Sequence, residues 1–72
     1  MPPLPVCSRA EVIRALEKIG YRTIRTAGSH ARLNCPQRPP VTVPLHRELD
    51  RGTLRGILRQ AQLTPEELIV LL

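Results

Sequence analysis

Phenylalanine and tryptophan are missing from this sequence, and Tyr21 is its one aromatic residue. Aromatic side chains usually dominate core energetics, so Leu, Ile and Val must supply nearly all the apolar burial here, and little stacking surface remains. Acidic residues are scarce: 6 Asp and Glu face 11 Lys and Arg, giving a net charge of +5. Ten of the cations are Arg, whose forks match phosphate and carboxylate geometry, so a polyanion or an acidic protein is the favoured partner. Two cysteines, Cys7 and Cys35, are too few for a disulfide framework and read as reduced thiols. Together with His30 and His46 they show no C-x-x-C or H-x-x-x-H spacing, so neither zinc nor any other cofactor is expected. Long apolar runs are absent as well. The longest, Leu68 to Leu72, is far short of the roughly 20 residues that cross a bilayer, and no charged region leads into an apolar one near residue 1. A cytoplasmic protein without membrane contact is expected.

What is present is enough for one small domain. A chain of 72 residues buries only about 60% of its unfolded surface, so the core must be thin. The Pro-rich residues 1–7 read as a flexible arm and 8–72 as the domain. Ser8 with Glu11 three residues on is a capping box that opens a helix, and Gly20 stops it. Val12, Ile13, Leu16 and Ile19 form its apolar stripe, with Arg14 and Lys18 on the opposite, solvated side. From Tyr21 the period changes to two, predicting strands over 21–26, 29–35 and 41–45 in an antiparallel meander. Pro36 to Pro40 reads as a stiff turn between the last two. Asp50 then caps a second helix with a buried stripe of Leu54, Ile57, Leu58 and Ala61, and a ridge of Arg51, Arg55 and Arg59. Thr64-Pro65-Glu66-Glu67 opens a short third helix. The fold class is therefore α+β, in the order αβββα with a C-terminal helix.

Alternation within strands places the polar residues. If Ala31, Leu33 and Cys35 face the core, His30, Arg32 and Asn34 face outward. Burying Ile24 sends Thr23 and Arg25 outward, and burying Val41, Val43 and Leu45 sends Thr42 and His46 outward unless Pro44 breaks the parity. One sheet face then carries both histidines and two arginines.

The element order is that of a double-stranded RNA binding domain, and the local sequence narrows it. Across residues 8–63 run Leu16-x-x-x-Gly20-Tyr21, Gly28-Ser29-His30, Val41-Thr42-Val43-Pro44-x-His46 and Gly52-Thr53-Leu54-Arg55-x-Ile57-Leu58-x-Gln60-Ala61. In that succession and at that spacing, the chain resembles the HicA family of toxin-antitoxin mRNA interferases. It departs from the family at Ala31, where a second histidine is frequent, at Leu33, where an aromatic is common, and at Tyr21, where Trp is frequent. The resemblance implies a ribosome-independent endoribonuclease that cleaves mRNA and is held inactive by a HicB-type antitoxin protein. It also implies that His30, which matches the essential histidine of the family motif, is the catalytic residue.

The chemistry of the residues is compatible. Metal-free RNA cleavage needs a base for a 2′-hydroxyl and an acid for the departing 5′-oxygen, and histidine is the side chain that titrates near neutrality. His30 serves as base or acid, with His46 as a neighbouring acid or phosphate ligand. Gly28 allows close approach of a phosphate, Ser29 offers a hydroxyl, and Arg25 and Arg32 neutralise phosphate charge. Two other readings stay open: an RNA-binding module on the same face without catalysis, and an interaction adaptor pairing through Leu68 to Leu72.

Overall fold

A computed structural model describes residues 4–72. Along the chain run α1 (Arg9–Glu17), β1 (Arg22–Ala27), β2 (His30–Cys35), β3 (Arg38–Pro44), α2 (Arg51–Ala61) and α3 (Pro65–Leu71). The strands form one antiparallel sheet in the order β1-β2-β3, so the α+β class and the αβββα order with an added helix are as the patterning predicts.

Each helix begins as its sequence dictates. Ser8 Oγ accepts from Glu11 N at 3.1 Å while Glu11 Oε1 accepts from Ser8 N at 2.9 Å, completing the capping box of α1. Thr64 and Glu67 repeat the arrangement at α3 with Pro65 in the first turn, and Asp50 Oδ1 accepts from Thr53 N at 2.7 Å at α2. The first helix closes around Gly20, at φ +108°, in a Schellman arrangement. Tyr21 N donates to Leu16 O and Gly20 N to Glu17 O. The end of α2 has the same pair of bonds, Leu63 N to Leu58 O and Gln62 N to Arg59 O, about Gln62 at φ 60°.

The helices cover the inner face of β2 and β3. Ala31, Leu33, Val41 and Val43 are buried there against Val12, Ala15 and Leu16 of α1, Leu54, Ile57, Leu58 and Ala61 of α2, and Leu68 of α3. Both longer helices lean on β3, and β1 has almost no helix above it. Tyr21 is buried at the entrance to β1, its hydroxyl donating to Pro39 O at 2.7 Å. The thin core explains this uneven cover. Two helices of 9 and 11 residues cannot roof three strands.

Three expectations need correction. The expected burial of Ile24 fails: its side chain is 57% exposed, because β1 has almost no helix cover and the strand carries a bulge. The third strand starts at Arg38 and includes Pro39 and Pro40. Proline lacks a ladder donor but is tolerated on an edge strand, and β3 is an edge. Finally, residues 4–7 do not behave as an arm, while 1–3 lie outside the described residues. Leu4 and Cys7 are buried, Leu49 N donates to Cys7 O at 2.7 Å, and Arg51 Nε donates to Leu4 O at 2.7 Å. Their spacing of three puts them on one side of an extended Pro-rich segment. Among the described residues no helix is long and apolar enough to cross a membrane.

Candidate active site

The hairpin between β1 and β2 fixes the site. Ala27 pairs with His30, leaving Gly28 and Ser29 as a two-residue turn. A positive φ of 57° at Gly28 and none at Ser29 is the signature of a II′ turn, which favours glycine at its first central position. An added Cβ at Gly28 would meet nothing within 4 Å, so this glycine answers a backbone requirement and not a spatial one. The short turn locks the register and puts His30 at the first position of β2. Alternation along β2 then proceeds as predicted: Ala31 and Leu33 are buried, while His30, Arg32 and Asn34 are exposed.

Residues directly opposite each other in an antiparallel pair share a face. Arg25 stands opposite Arg32, and Arg32 opposite Thr42, so all three lie on the outer face with His30. They line an open depression of about 440 Å³ whose full lining is Ile24, Arg25, Ala27, His30, Arg32 and Thr42. Two guanidinium groups and one imidazole thus converge with no carboxylate in the lining. Ser29 Oγ lies 3.3 Å from His30 Nδ1, leaving Nε2 as the ring nitrogen without that contact. Arg32 Nη1 donates to Thr42 Oγ1 at 3.4 Å, and Thr42 N donates to Gln60 Oε1 at 3.0 Å. The last bond gives this edge-strand donor a partner on α2.

Of the residues singled out from sequence, His30, Arg25 and Arg32 come together, and Ser29 touches the imidazole. Gly28 forms the turn without lining the depression. His46 is not brought in: β3 ends at Pro44, and His46 lies beyond it and outside the lining of the depression. Sequence reasoning missed Ile24 as a lining residue. Counting back from the turn puts Ile24 opposite Leu33 on the inner face. Between Thr23 and Arg25, however, the register slips, and the extra residue keeps Ile24 beside Arg25 on the outer face. No glycine or proline in β1 announces that bulge.

Much of the remaining positive charge serves the fold. Arg38 Nη1 donates to Ala61 O at 2.9 Å and Lys18 Nζ to Leu71 O at 2.7 Å, each placing a cation at the negative end of a helix. Arg9 Nη1 holds Leu45 O at 2.7 Å. Among the described residues Arg25 makes no such bond, and it is on the face that carries His30. Both thiols are free, and burial pushes that of Cys7 above its ordinary range. Among the described residues no group of three or more His, Cys, Asp or Glu side chains comes together in a way that could hold a metal.

Comparison with protein families places residues 9–63 in the family described as HicA toxin of bacterial toxin-antitoxin. Among curated proteins none matches the chain.

Proposed function

The chain belongs to the HicA toxin family, a family of toxin-antitoxin systems, and on that premise we propose that it is a ribosome-independent endoribonuclease that cleaves mRNA. The observation that carries this reading is the convergence of His30, Arg25 and Arg32 in one open depression. In the proposed step, His30 Nε2 removes the proton of a ribose 2′-hydroxyl. The 2′-oxygen then bonds to the adjacent phosphorus, and the bond from phosphorus to the 5′-oxygen breaks. The products are a 2′,3′-cyclic phosphate and a 5′-hydroxyl, whose proton comes from solvent through the open mouth of the site. Arg25 and Arg32 neutralise the extra charge that builds up on phosphorus-bound oxygen. No metal takes part in this scheme, and none of its steps is assigned to His46.

An antitoxin of HicB type is the proposed protein partner, and the cytoplasm, where mRNA is found, the proposed location. A basic outer face suits an acidic inhibitor as well as it suits RNA.

His30→Ala tests the reading. The side chain is exposed, so the variant should fold normally while losing RNA cleavage and growth inhibition together. Full toxicity in this variant would overturn the proposal. The exposure of His30 and the absence of a carboxylate orienting it also suit a module that binds RNA without cutting it. Incubation of labelled RNA with the protein and EDTA separates the two, since cleavage supports the enzyme and a shifted, intact RNA supports the module.

A further inference from the structure

We infer that Ile24 is the residue of this site that contacts a nucleobase, offering an apolar platform for one unstacked base beside the phosphate held by Arg25 and Arg32. This rests on the proposal that the depression binds RNA. A single exposed isoleucine is ordinary on a protein surface, and its surroundings are what give this one a role. Among the described residues, Val6, Ile69, Val70 and Leu72 are the other large apolar side chains left exposed, and they lie in the N-terminal segment, in α3 or at the C-terminal residue. Ile24 alone of the five lies on the sheet, in the lining that contains His30.

The backbone shows how it gets there. From the pair Thr23 and Leu33, an unbroken ladder would send Arg25 to the inner face. From the pair Ala27 and His30, an unbroken ladder would send Ile24 there instead. The register slip between Thr23 and Arg25 is what allows both side chains to occupy the outer face at once. Bulges interrupt ladder bonds and are enriched beside functional sites, where they re-aim a side chain. Here the result is an apolar group next to a cation, which is the pattern of a nucleotide with its flat base and anionic phosphate. The one aromatic residue, Tyr21, is buried and cannot provide the stacking surface on which such sites commonly rely. A volume of about 440 Å³ falls in the range of small-ligand sites. An acidic protein partner would offer carboxylates to the same guanidinium groups, and the test below separates it from RNA.

The test measures binding of a mixed-sequence single-stranded RNA by fluorescence anisotropy, with His30→Ala as the parent so that nothing is cut. Inorganic polyphosphate, an anion without bases, is the control ligand. Adding Ile24→Ala should weaken RNA binding by roughly five- to tenfold, the loss expected for the contact area of one aliphatic side chain. It should leave polyphosphate binding unchanged, whereas Arg25→Gln should weaken both. Ile24→Tyr should restore RNA binding or improve it. Equal RNA affinity with and without Ile24→Ala would overturn the assignment, as would parallel loss of RNA and polyphosphate, or a parent that binds no RNA. Loss of antitoxin binding with RNA affinity intact would assign the side chain to the protein partner and also overturn it. If the wild-type chain fails to cut RNA while the Ile24 effect is present, only the enzymatic reading falls.

Discussion

Gly28 carries no side chain and is not in the lining of the depression, yet the position of His30 depends on it. Its φ of 57° is costly for any residue with a Cβ, by about 1 kcal/mol or slightly more. The space around it is open, so Gly28→Ala should lower stability by about that amount in urea titration without disturbing the core. Gly28→Asn should lose about as much, because the first central position of a II′ turn lies outside the left-handed helical region that asparagine tolerates. A loss of several kcal/mol would mean that the turn is doing more than closing the hairpin. Ile24 and Arg25 depend on a different backbone feature, the bulge, and that feature has no residue-level signature in β1. At this scale the turn residue and His30 were legible from Gly28-Ser29-His30, whereas Ile24 was not.

The helices were the most legible elements because their starts are chemical. Ser8 with Glu11 and Thr64 with Glu67 form reciprocal bonds that short-range sequence alone specifies. Those bonds also couple stability to pH. The backbone N–H and hydroxyl of Ser8 hold the Glu11 carboxyl below its ordinary range, those of Thr64 do the same for Glu67, and those of Thr53 for Asp50. A carboxyl depressed in the folded state stabilises the protein at pH values above its unfolded pKa, near 4. The contribution disappears as pH falls through the lower folded values. The thermal midpoint should therefore be flat between about pH 5 and pH 8 and fall below about pH 4. Replacing Glu11 and Glu67 by Gln, which retains the capping geometry without the charge, should shallow that fall. An acid limb identical to that of the wild type would show that these caps contribute nothing to it. The strands were less legible than the helices. The third was expected to begin after Pro40, but an edge position let Arg38, Pro39 and Pro40 join it.

For the whole molecule, charge and topology act together. A net charge of +5 predicts salt-sensitive RNA binding, and the fold concentrates part of that charge on the outer sheet face. Each phosphate contact to single-stranded nucleic acid contributes about −0.7 to the slope of log affinity against log salt concentration. Removing Arg25 or Arg32 by substitution with Gln should each reduce that slope by about 0.7, measured on His30→Ala protein between low and moderate salt. Arg38→Gln should leave the slope nearly unchanged, because Arg38 is engaged at the end of α2. An equal effect from all three would mean diffuse attraction and no built site. Helix starts, the alternation of β2 and the outward direction of His30 could be read from local sequence, since these follow from hydrogen bonds and periodicities spanning only a few residues. The tertiary structure decided which strand receives helix cover, where β1 slips in register, and that His46 falls beyond the depression. Those outcomes depend on how few helical residues must cover three strands, a balance of areas that no local pattern encodes. The outer face gained Ile24 beside Arg25 for the same reason: a strand without a helix above it has no buried face to hold its register.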